Sequence, residues 1–414
     1  MKITFGLVLL SVALVNSQSC LTPNDNRPPN PNSKSGLYNG QQEFSLALLQ
    51  AINQLNPDAN LFFSPYSTYH ALLLAYFISG SQTEGYLRKA LKLNQHQDKA
   101  DVFNAYKLDK FATQLRSKNA SYEFSNANRI YVDKSVEVRS CMSPLFLDEL
   151  QSVDFQKDPE VARMGINSWV EAQTRDMIKD LLPGGTIDQN TDLVLVNAAY
   201  FKGIWENKFD PALTKPDVFH ITPSKRTFVD MMHVEGTFNH DVSEDLMAHI
   251  LELPYQGGDI SMYILLPPFA KEDGIPTILK RLTLERFKSI VDENSSLSAR
   301  TVQVSVPKFS LEHTIQMVPI LESLGVGNLF RPDADFSLLT TGRKRVSLGE
   351  AIHKAKIQVD ENGATAAAAT AVFTFRMMNE IQPVVFNCSR PFVYLIYNKR
   401  MHTVLFTGIY RKPY

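Results

Sequence analysis

Glu361-Asn362-Gly363-Ala364-Thr365-Ala366-Ala367-Ala368-Ala369-Thr370-Ala371-Val372-Phe373-Thr374-Phe375 carries no charge after Glu361, no proline, and no large side chain before Val372. Read as a strand, its even positions are Ala364, Ala366, Ala368, Thr370, Val372 and Thr374. These are small enough to enter a packed interior without overpacking it. Thr365, Phe373 and Phe375 fall on the odd positions and would face solvent or a partner. Alanine is also the best helix former, so an alanine-rich helix or a low-complexity linker fits the same residues. The surroundings have to decide. Arg376-Met377-Met378 follows at once and offers a trypsin-like protease a bond to cut.

Working outward, strand-like runs lie at 354–359 before this stretch and at 392–397 and 404–409 after it. Others occupy 127–132, 193–202, 260–266 and 302–307. The first half shows helical spacing instead. Phe44, Leu46, Leu48, Leu49, Ile52 and Leu55 mark a helix over 40–55 that Asn56-Pro57 closes. Leu61-Phe62-Phe63 is a short strand or core run, and Ser64-Pro65 opens an apolar helix through Phe77. Further helices are expected over 83–93 and 101–115. No internal repeat is present, and no linker beyond residue 40. The pattern is α+β with a large, mostly antiparallel sheet, not alternating β-α units.

The 414 residues are long for one domain but within reach of large mixed-sheet folds, and 44% hydrophobic with 21% charged is ordinary for a soluble chain. A net charge of −1 gives no pull toward nucleic acid or an anionic membrane. Lys2 followed by an apolar run from Ile3 to Val15 reads as a secretory signal over 1–17, too short to cross a bilayer. Residues 18–39, rich in Pro, Asn and Ser, read as a disordered extension. Asn119 and Asn294 head glycosylation sequons in polar stretches. A third sequon, at Asn387, follows a strand-like run that would refuse a glycan. Cys20, Cys141 and Cys388 leave open one bridge with a free thiol, or no bridge. Enzyme signatures are missing: no G-x-S-x-G, no H-E-x-x-H, no phosphate loop, and no His at metal-ligand spacing. No catalytic residue, metal or cofactor is therefore expected.

Several ordered blocks give the chain a strong resemblance to the serpins from about residue 40 to 413. They are Asn60-Leu61-Phe62-Phe63-Ser64-Pro65-Tyr66-Ser67, Leu195-Val196-Asn197-Ala198-Ala199-Tyr200-Phe201-Lys202-Gly203-Ile204-Trp205 and Val306-Pro307-Lys308-Phe309. Ala351-Ile352-His353-Lys354-Ala355, Asp360-Glu361-Asn362-Gly363, Arg390-Pro391-Phe392 and Leu405-Phe406-Thr407-Gly408 complete the set. The resemblance implies three β-sheets, eight or nine helices, a monomer, and an exposed reactive-centre loop at about 361–385. It places Ser64, Ser67, Asn197 and His353 in a polar cluster under the part of the large sheet that must open. Trp205 matches the residue at the top of that sheet. Lys308 and Glu361 match an ion pair at the loop base, worth under ~1 kcal/mol if exposed.

The resemblance further implies a suicide-substrate inhibitor of serine proteases. The target's serine esterifies the residue before the cut, and the freed stretch inserts into the large sheet. Glu361, Gly363, Ala364, Thr365, Ala366, Ala367, Ala368 and Ala369 match the hinge, with Ala364 where the family usually has Thr or Ser. The family's usual distance from Gly363 puts the cut between Met377 and Met378. Chemistry favours Arg376–Met377, because arginine fills an acidic specificity pocket, as in extracellular immune or clotting cascades. A non-inhibitory carrier, chaperone or storage role is the alternative. Lys107, Lys110 and Lys118 fall near one helix face and resemble the heparin-binding helix of some serpins, although a solvated charged face is the better reading.

Overall fold

A helix that is apolar all round is stable only when enclosed, and all 14 residues of Pro65–Ile78 are buried. Its start is set locally: Pro65 occupies the first turn, and Ser64 Oγ caps it by accepting the Ser67 N–H at 3.1 Å. The computed structural model describes residues 20–22, 25, 30–117, 121–269, 273–292, 295–342, 345–362 and 382–413. Within these the chain forms nine α-helices and fourteen strands.

A five-stranded sheet lies against this helix, in the order Phe309–Gln316, Leu348–Val359, Leu193–Gly203, Tyr122–Asp133, Leu150–Val153. Its pairings alternate antiparallel, parallel, antiparallel, parallel. The expectation of a mostly antiparallel sheet therefore fails here. Leu193–Gly203 is buried on both faces, as a strand with a parallel neighbour usually is. Leu193 and Leu195 pack into the helical core, and Ala199 and Phe201 pack against the second sheet. On the other face Val194, Val196, Ala198 and Tyr200 meet Ala162, Ile166 and Val170 of helix Pro159–Gln173. That helix is capped by Asp158, which accepts the Val161 N–H at 3.0 Å. It is also pinned by Arg129, whose guanidinium lies 4.1 Å from the Trp169 ring centre.

The second, nine-stranded network is antiparallel in all but one of its described pairings. The 18-residue strand Arg226–Ser243 joins its two halves, pairing in turn with Lys215–His220, Ser298–Pro307 and Ala248–Pro254. Two of the three implied sheets are thus one hydrogen-bonded ladder.

The N-terminal boundary differs from the sequence reading. Helix Ser33–Leu55 begins seven residues before 40, with Ser33 and Leu37 buried, so residues 33–39 belong to the folded body and not to a disordered extension. Residues 1–17 lie outside the described residues. Cys20 is disulfide-bonded to Cys141, which settles the pairing left open, and Cys388 is a buried free thiol whose ionisation burial opposes. The bridge spans 121 residues; restricting that loop in the unfolded chain stabilises the fold by about 4–5 kcal/mol in a chain-entropy account. Cys141→Ser is expected to lower the calorimetric midpoint and to abolish the further drop that reductant causes in the wild type.

Candidate functional site

The parallel pair at the middle of the five-stranded sheet puts His353 of Leu348–Val359 opposite Asn197 of Leu193–Gly203. Both side chains turn toward the N-terminus of helix Pro65–Ile78. His353 Nε2 accepts the Ser64 N–H at 2.9 Å, so its proton sits on Nδ1 and is donated to Asn197 Oδ1. The Asn197 amide then donates to Ser67 Oγ and to Asn128 Oδ1. Ser67 Oγ donates onward to Asn126 Oδ1 at 2.6 Å, and Ser64 Oγ donates to the Leu405 carbonyl at 2.6 Å. One network therefore ties the helix to four strands, three of the five-stranded sheet and, through Leu405, Thr403–Tyr410 of the other, and the His353–Asn197 bond crosses the seam between the parallel pair. Ser64, Ser67 and His353 are fully buried. Enclosed in this way, the network fastens the start of the helix to the sheet.

Burial, reinforced by nearby His313, drops the His353 pKa to about 3 despite the bond to Asn197. The folded protein thus holds this ring neutral, whereas the unfolded chain takes up a proton near pH 6.5. The stabilisation is complete above pH 6.5 and declines as pH falls toward 3, by about 1.4 kcal/mol per pH unit. His233, His240, His249 and His313 are depressed in the same direction. Denaturant titrations of the wild type and His353→Gln between pH 7 and 5 should differ in slope by about one proton; equal slopes would refute the assignment.

At the top of the seam three consecutive carbonyls are held by the neighbouring strand's end. Trp205 Nε1–H donates to Asp360 O at 2.9 Å, Phe209 N–H to Glu361 O at 3.0 Å, and Trp205 N–H to Asn362 O at 3.1 Å. Trp205 is itself fixed by stacking on Tyr255, centroids 4.3 Å apart. The Glu361 carboxylate is 8% exposed and receives Lys308 Nζ at 2.9 and 3.1 Å and Thr214 Oγ1 at 2.9 Å. Burial pushes the Glu361 carboxyl up, but the bonds from Lys308 and Thr214 with the Lys308 charge leave it below its ordinary value. The pair is half-buried, so the value for an exposed pair does not apply to it.

A family model described as "Serpin (serine protease inhibitor)" matches residues 39–413. The chain belongs to the serpin family. It is 41% identical over 393 residues to Serine protease inhibitor 88Ea of Drosophila melanogaster, covering 91% of each chain. It is 34% identical to the leukocyte elastase inhibitor of Homo sapiens, covering 91% of this chain and 99% of the relative. Among solved structures, Serpin48 of the insect Tenebrio molitor superposes with a TM-score of 0.78 at 27% identity, covering 92% of this chain and 99% of that one.

Of the residues expected from sequence, Ser64, Ser67, Asn197 and His353 share one hydrogen-bond network, and Trp205, Lys308 and Glu361 meet in a second group at the strand ends. Asn126, Asn128 and Thr214 were missed. Asn126 and Asn128 share a face of one strand, a period-two pair of amides that could have flagged them. Gly363 to Ala369, Arg376, Met377, Met378, Asn119, Asn294 and Lys118 lie outside the described residues. Asn387 closes the strand Val384–Asn387, and the next residue, Cys388, is buried with its N–H on Ser305 O at 2.9 Å. On helix Lys99–Ser117, Lys110 is neutralised by Glu149 and Asp148, and Lys107 lies over the Phe103 ring. Local pairing therefore thins the basic face.

Proposed function

We propose that this serpin traps trypsin-like serine proteases as a suicide substrate after export from the cell. The direction of the seam strands carries the reading. Leu348–Val359 leads straight to Asn362, so a chain turning back there runs opposite to it. Because Leu193–Gly203 is parallel to Leu348–Val359, the returning chain is antiparallel to both neighbours. A sheet opened at the seam would gain two antiparallel ladders at once. Inserting ~15 residues forms up to ~30 hydrogen bonds at about 1 kcal/mol net each, against roughly 1–2 kcal/mol per residue of lost freedom. These nearly cancel, so the drive comes from side-chain burial and from strain held in the uncut fold. Small uncharged residues at the even positions from Ala364 to Thr374 suit that burial. Export is supported by the signal-like residues 1–17 and by the Cys20–Cys141 bridge.

Mixing the intact protein with trypsin tests the reading. An SDS-stable adduct is expected, and the released fragment should begin at Met377. A fragment beginning at Met378 would move the reactive bond to Met377–Met378 and the target toward elastase- or chymotrypsin-like enzymes. Cleavage with no adduct would favour a carrier or storage role.

A further inference from the structure

A groove of about 470 Å³ opens beside the loop base, with Phe228, Val229, Asp230, Lys308, Phe309 and Tyr410 among its walls. Its volume suits a small molecule. Phe228, on strand Arg226–Ser243, is 71% exposed, the most exposed aromatic side chain among the described residues. The rings of Phe309 and Tyr410 lie 4.8 Å apart. Lys308 links this groove to the loop base. Its side chain is 45% exposed while its Nζ holds both oxygens of the buried Glu361 carboxylate.

We propose that the groove binds a monoanionic aromatic acid, with its ring on Phe228 and its carboxylate on Lys308 Nζ, and that occupancy loosens Glu361. An ammonium has three donors, and two serve Glu361, so a third is available to a ligand. The exposed carboxylate of Asp230 on the same wall and that of Asp360 both act on Lys308 and repel any incoming anion, a cost that grows with each negative charge and so selects a monoanion over a polyanion. An anion sharing Lys308 also weakens the charge that keeps Glu361 ionised against burial. The backbone bonds from Trp205 and Phe209 to Asn362 and Glu361 open more often as a result. The ligand site stands on geometry alone; its consequence for inhibition rests on the proposed function.

Calorimetric titration of the intact protein, loop uncut, with naphthylacetate provides the test, run beside neutral naphthaleneethanol and dianionic naphthalenedisulfonate. Saturable binding is expected for naphthylacetate, with both analogues weaker. Phe228→Ser, which leaves the Lys308–Glu361 pair untouched, should bind roughly tenfold more weakly, the factor carried by one lost aromatic contact. Hydrogen exchange at the Trp205 and Phe209 amides should speed up with ligand in the wild type only. Absent saturation, or equal binding by Phe228→Ser, would overturn the site. Binding with unchanged exchange would overturn the coupling. Neither measurement uses a protease, so a missing trypsin adduct would count against the inhibitory reading and leave this one standing.

Discussion

Ala364→Arg is expected to turn the protein from an inhibitor into a substrate. In the strand register Ala364 is the first inward position after the hinge glycine, so the new guanidinium would be the first side chain carried between Leu193–Gly203 and Leu348–Val359. Both strands are buried at that level, with Ala355, Ala199, Ile357 and Phe201 closing the interior. An unpaired charge placed there costs several kcal/mol. Since about 1.4 kcal/mol is a factor of ten, roughly 4 kcal/mol would shift the partition between trapping and release about a thousandfold. Trypsin should still cut the variant, because the reactive bond is far along the loop. The readout is a gel of timed mixtures: cut serpin and free protease are expected, and a persistent adduct would defeat the insertion model.

Cutting the loop in the wild type should make the protein more stable, the reverse of what nicking does to an ordinary fold. The intact seam has its two strands paired directly, and filling it adds a strand to the centre of a sheet. If burial and released strain contribute several kcal/mol, the melting midpoint should rise on the order of 10 °C, at about 2–4 °C per kcal/mol for domains of 150–250 residues and less for larger ones. Calorimetry on intact and protease-nicked samples at one pH decides this. A midpoint that stays or falls would mean that no strain is stored. The pH must be held well above 6.5, or His353 adds its own acid destabilisation to both samples.

Legibility followed how much of an element's environment its own residues reveal. Pro65–Ile78, Leu193–Gly203 and Thr403–Tyr410 are buried almost throughout, and their unbroken apolar runs stood out. Helix Pro159–Gln173 was missed because it covers one face of a sheet with a thin stripe, Ala162, Ile166 and Val170, and leaves Val161 and Met164 in solvent. Strand Arg226–Ser243 escaped for a related reason: it changes partners midway, so inward and outward positions do not keep one phase. The early start of helix Ser33–Leu55 was hidden by a polar first turn that Leu37 alone anchors. In the buried network, His353 and Asn197 were legible as polar residues inside apolar strands. Their partners Asn126 and Asn128 were not, since their one signal, two amides a period of two apart, sits in a half-exposed strand where polar residues are ordinary.

The chain has two tryptophans, and the fold has set each where rearrangement must be felt. Trp205 is sandwiched against Tyr255 over the mouth of the seam, and Trp169 rides on the helix above it beneath the Arg129 guanidinium. Each indole sits beside a group that shapes its emission, an aromatic plane in one case and a cation in the other. The molecule is thus wired as its own fluorimeter, and single Trp→Phe versions would give separate, label-free clocks for the top of the sheet and for the helix that covers it.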